Sequence, residues 1–129
     1  MKLRIKGNSL RFRLSKSDVA LLAGSGMITE TVCFGLAPEA KLGYALEVAS
    51  SNVPLSVGYA EQKVTVSISH EAVLRWATVE TEVGIYGSVN TGHEPLELLI
   101  EKDFACLDAS EEENEGTFPN PTACQPILK

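Results

Sequence analysis

No stretch of this chain is apolar for long enough to cross a membrane, and Lys2, Arg4 and Lys6 interrupt any leader-like apolar run near Met1. Cysteine is scarce: Cys33, Cys106 and Cys124 form no C-x-x-C pair, which points to reduced thiols in a cytosolic protein. A Cys106–Cys124 bridge would still leave Cys33 over. The two histidines, His70 and His93, stand too far from the cysteines and from each other for a zinc spacing, so no metal is expected. There is no G-x-S-x-G, no P-loop and no G-x-G-x-x-G. The usual nucleophile and nucleotide signatures are thus missing, and no cofactor is expected.

What the chain does have is charge, unevenly spread. Its net charge is −6, yet residues 1–16 carry Lys2, Arg4, Lys6, Arg11, Arg13 and Lys16 with no acid. Residues 101–129 carry seven acids against Lys102 and Lys129, including the run Glu111-Glu112-Glu113-Asn114-Glu115. An acidic whole argues against non-specific nucleic-acid binding, which needs a broad basic surface. At 129 residues the chain is long enough for one core but not for two. We read 1–107 as a single globular domain and 108–129 as an acidic, proline-containing tail of low hydrophobicity.

The chain also has a self-similarity at an offset of 54, the spacing from Leu10 to Val64. Leu10, Phe12 and Leu14 fall on Val64, Val66 and Ile68; Ser15, Val19 and Leu22 fall on Ser69, Val73 and Trp76. Leu42 and Leu46 fall on Leu96 and Ile100, whereas the match fails between Gly24 and Lys41. A fixed internal period is the mark of a duplicated unit, here with copies near 2–50 and 56–104.

Local patterns give the elements. Alternating charged and apolar residues at 2–6 and 9–14, around Gly7-Asn8, predict a hairpin with a type II′ turn. Ser15 with Asp18 predicts a capping box, and Gly24 is the expected helix end. Strands are expected at 28–34, 42–49, 55–59, 63–68, 83–89 and 96–103, with Ser69 capping a second helix. The expected fold is α+β: about eight strands, mostly antiparallel, and two short helices, in two ββαββ repeats forming a barrel or a curved sheet. Phe12, Leu14, Leu22, Val66, Ile68 and Trp76 should lie in its core.

The hairpin sets Arg4 against Arg11 and Lys2 against Arg13, and like charges directly opposite one another are destabilising. The positions 54 residues on are Ser56, Gly58, Ala60, Thr65 and Ser67, all uncharged, so the scaffold itself does not call for the charge. Lys2, Arg4, Lys6, Arg11 and Arg13 are therefore the candidate ligand-binding residues, with an anionic small molecule or a protein partner as the expected occupant. The bland alternative, which is preferred, is that the acidic tail or glutamates on adjacent strands neutralise them. The expected function is a binding or interaction domain, compatible with a homodimer. The competing reading is an enzyme acting on a phosphorylated small molecule in a barrel lined by the stripe and by glutamates such as Glu30 and Glu47.

The opening Met1-Lys2-Leu3-Arg4-Ile5-Lys6-Gly7-Asn8-Ser9-Leu10-Arg11-Phe12-Arg13-Leu14 resembles the start of a small bacterial family of unknown function. Leu98-Leu99-Ile100-Glu101-Lys102-Asp103-Phe104, followed by acids and Pro119-Asn120-Pro121, resembles its end. That resemblance implies membership and brings no activity and no site. A paired βαβββ arrangement would instead resemble the glyoxalase superfamily, and it ranks second because the metal-binding positions of that superfamily have no counterparts here.

Overall fold

The structure, a computed structural model, describes residues 1–103 and Phe118. Its elements in chain order are β1 (Lys2–Ile5), β2 (Ser9–Leu14), α1 (Lys16–Ser25), β3 (Met27–Cys33) and β4 (Lys41–Ala49), then β5 (Leu55–Ala60), β6 (Lys63–Ser69), α2 (His70–Thr78), β7 (Gly84–Val89) and β8 (Leu96–Lys102). The order β-β-α-β-β thus runs twice. The eight strands form two four-stranded sheets, β1-β2-β8-β7 (sheet A) and β3-β4-β6-β5 (sheet B), rather than a closed barrel.

Four strand pairs are antiparallel hairpin partners, whereas β2 with β8 and β4 with β6 are parallel. Hairpin partners are announced locally by their turns. The parallel pairs join strands distant in the chain and leave no local signal. Sheet A thus joins the first and last hairpins of the chain order and sheet B the two central ones, each sheet sewn together by its parallel pair.

The registers correspond. Leu10 pairs with Leu98 in sheet A, and the positions 54 residues away, Val64 and Tyr44, pair in sheet B. Likewise Arg4 pairs with Arg11, and Gly58 with Thr65. The exception is β7, where Gly84, not residue 81, takes the place of Met27: Met27 pairs with Glu47 and Gly84 with Glu101. Three extra residues between α2 and β7 account for the failed match after Gly24. With that shift Ile28 answers Ile85 and Val32 answers Val89.

The turns and caps follow the residues present. Gly7 carries φ +56° at the first turn, where the Lys6 N–H donates to the Ser9 carbonyl at 3.1 Å. At the equivalent turn Glu61 and Gln62 both have positive φ, 51° and 59°, the geometry of a type I′ turn made without glycine. The Ser15 hydroxyl accepts from the Asp18 N–H while the Asp18 carboxylate accepts from the Ser15 N–H, and Ser69 caps α2 by accepting from Ala72. Helix α1 runs past Gly24, and Gly26, at φ +86°, takes the left-handed cap. Gly24 continues the helix because Gly26 alone supplies the αL residue that ties back to Leu22.

Both helices touch strands of both sheets and each other. Phe12, Leu14, Leu22, Val66 and Ile68 are fully buried and Trp76 is 1% exposed, so all six expected core residues lie inside. With alternate residues of β2 and β8 in the core, Arg11, Arg13, Glu97, Leu99 and Glu101 stand on the outer face of sheet A. Domain residues 104–107 and, Phe118 apart, the tail lie outside the described residues, together with Cys106 and Cys124. Cys33 is a free thiol on the surface.

Candidate functional site

The basic stripe is gathered on one surface. On β1 and β2 the apolar partners Leu3, Leu10, Phe12 and Leu14 face inward, which turns Lys2, Arg4, Arg11 and Arg13 outward. Lys6 follows at the turn. Arg4 and Arg11 sit directly opposite one another, as do Lys2 and Arg13. A recess of about 180 Å³ is lined by Arg4, Lys6, Ser9, Arg11 and Leu99.

Part of the stripe is answered by acids of the same sheet. Arg11 Nε lies 3.2 Å from Glu101 Oε1 on β8, and Lys2 Nζ lies 3.1 Å from Asp103 Oδ2. Tyr86 on β7 donates its hydroxyl to Glu101 Oε2 at 2.9 Å, so Glu101 joins β2, β8 and β7. Burial, then the hydrogen bond and charge of Glu101, raise the Tyr86 phenol above its ordinary range, while Arg11 pulls the other way. Arg4, Lys6 and Arg13 form no ion pair among the described residues. Neutralisation by Glu111 to Glu115 concerns residues outside those described.

The two glutamates expected to face the stripe are used elsewhere. Glu30 and Asp18 hold the Met1 ammonium at 2.7 and 2.9 Å, and the Met1 side chain is buried. Burial disfavours that ammonium, but the hydrogen bonds to Glu30 and Asp18 prevail and raise its pKa. Asp18 is correspondingly held low: its burial is outweighed by the ammonium and the Ser15 N–H. Glu47 accepts from the Ser67 hydroxyl at 2.7 Å on the outer face of sheet B.

Sequence reasoning missed Lys102. It is 4% exposed on the core side of β8, where Val48 is the residue 54 positions earlier. Its Nζ donates to the Val79 carbonyl at 3.1 Å and lies 5.2 Å from the Phe118 ring centroid. Burial lowers its pKa, against the pull of Glu80 and Glu82. Alternation along Leu98, Ile100 and Lys102 would have placed it inward had its charge not suggested the surface. A second cleft, of about 440 Å³, lies between α2 and the start of β7, with Trp76 at its floor and the Arg75–Glu82 ion pair at its rim. Its walls come from three separated segments, so no motif could have revealed it. Among the described residues no three His, Cys, Asp or Glu side chains are grouped to hold a metal ion, and no helix is long and apolar enough to cross a membrane.

The model of a family of unknown function, DUF7009, matches residues 1–122, nearly the whole chain. The chain belongs to that family. No curated protein and no solved structure matches it. Membership agrees with the resemblance carried by the two ends of the sequence and assigns no chemistry to any residue.

Proposed function

We propose that this protein is a non-catalytic binding module of the cytosol, built from two copies of a ββαββ unit, in which the outer face of sheet A holds an anionic ligand. The observation that supports this is the Arg4–Arg11 pair. Two guanidinium groups stand opposite one another beside Lys6, around a recess, with only Arg11 paired to a carboxylate among the described residues. Like charges placed so are destabilising, and an oxyanion between them would relieve the repulsion through bidentate hydrogen bonds. An open outer face, rather than an enclosed cavity, suits a binder better than an enzyme that must exclude water. Of the stripe, Arg4, Lys6 and Arg11 form the centre, while Lys2 and Arg13 extend it along the face.

The test is calorimetric titration of the full chain with inorganic phosphate and with a dicarboxylate at low salt. Binding is expected, and Arg4→Ala with Arg11→Ala should abolish it while leaving the fold intact. Absence of heat with either anion, at millimolar concentrations, would remove the reading.

A further inference from the structure

Among the described residues, strand β1 is an edge of sheet A with less packed beside it than its counterpart has. β5, its counterpart in sheet B, packs against β7 of sheet A, and a Cβ on Gly87 would meet Leu55 at 2.8 Å. Among the described strands β1 packs to a comparable extent against β2 alone. Its outward residues are Lys2 and Arg4, and its inward ones are Leu3, half-buried, and Ile5, which is 60% exposed. An edge strand offers a row of free N–H and C=O groups to any chain that can lie beside it. Here the alternation makes two demands of that chain: acids on one face and apolar residues on the other. Like charge disfavours edge-to-edge pairing of β1 with a second β1.

We propose that β1 takes up an extended acidic segment of a partner protein as a fifth strand of sheet A, its carboxylates above Lys2 and Arg4 and its apolar side chains beside Leu3 and Ile5. This rests on the reading of the stripe as a binding surface and names the partner that surface fits. Main-chain hydrogen bonds supply affinity in such strand addition, and alternate side chains supply selectivity.

The probe is a terminally blocked peptide, Glu-Val-Glu-Val-Glu-Val, titrated into the full chain beside Glu-Pro-Glu-Pro-Glu-Pro and inorganic phosphate. Proline cannot donate to a ladder, so the two peptides match in charge and differ in strand capacity. The valine peptide is expected to bind and to slow amide exchange across β1, with the proline peptide at least about tenfold weaker. Arg4→Ala should weaken the valine peptide by up to about fivefold, the range of an exposed ion pair. Equal binding of both peptides would mean charge attraction alone, overturning the strand reading while phosphate binding kept the stripe reading. If nothing binds, phosphate included, both readings fall. Slow exchange of the outward β1 amides in the free chain would show an edge already covered, by its own residues if independent of concentration and by a second copy if not. Either result would overturn the proposal.

Discussion

Where sheet A sets Arg4 against Arg11, sheet B sets Gly58 against Thr65, and where sheet A sets Lys2 against Arg13, sheet B sets Ser56 against Ser67. Strand order, pairing and register correspond at these positions, and the inward residues of the two parallel pairs are apolar in both except for Lys102, where sheet B has Val48. The outer faces diverge most: sheet A bears five cations and their carboxylates, whereas at the positions equivalent to the stripe sheet B has small neutral residues, its charges Lys41, Glu47 and Lys63 lying elsewhere on the face. Sheet B therefore acts as an internal control: this architecture forms without charge at those positions. On the binding reading proposed above, what sheet A adds is surplus to folding and serves a ligand.

The comparison fails if the halves are not alike inside, and the largest effect tests that. Trp76 and Leu22 hold equivalent helical positions, both essentially fully buried. Trp76→Ala should cost about 3–5 kcal/mol and Leu22→Ala about 2–5 kcal/mol in urea unfolding. A loss within error at either site would show that its helix does not seal the core.

Next come the two turns. Gly7→Ala places a β-carbon at φ +56° and should cost about 1–2 kcal/mol. Gln62→Gly, at φ 59°, should instead stabilise by about 0.5–1 kcal/mol, because the same conformation is already strained there. If both changes shift the melting midpoint in the same direction, the two turns are not equivalent.

The N-terminal ion pair sharpens the comparison, since Met1 and Glu30 of the first β-β-α-β-β run stand where the second has Leu55 and Gly87. The Met1 ammonium has a raised pKa, so its contribution is complete below its ordinary value of 8.0 and lost as pH rises through the raised one. Asp18 has a lowered pKa, so its contribution is complete above 3.8 and lost as pH falls through the lowered one. Denaturation profiles should fall at both ends, and acetylating the α-amino group should remove the alkaline limb. An alkaline limb that persists after acetylation would assign it to another group.

The smallest effect is on the face itself. Arg4→Ala should leave stability equal or raise it by a few tenths of a kcal/mol, while Arg11→Ala, which breaks the pair with Glu101, should cost at most about 1 kcal/mol. The equivalent Gly58 and Thr65 have no such coupling, so a double-mutant cycle there should read zero. A marked loss with Arg4→Ala would mean the stripe serves folding after all.

Much of this was legible locally. Hairpins, serine caps and strand alternation are written within a few residues of each other, so Ser15, Ser69, Phe12 and Ile68 could be placed from the chain alone. Lys102 could not, because its burial depends on the Val79 carbonyl and on Phe118, neither adjacent to it in sequence. Nor could the role of Glu30, which an acid-lined barrel would have set before the stripe and which instead binds Met1.

The sequence by itself determined the element order, the hairpin turns, the serine caps and the apolar side chains that point inward, because each depends on φ, ψ preference and on period-two alternation over short range. Tertiary structure alone decided that the first and last hairpins share one sheet and the two central hairpins the other, that the sheets stay open, and which acids answer which cations. Those outcomes depend on parallel pairing across long separations, where hydrophobic burial and register set the partners and no local residue announces them.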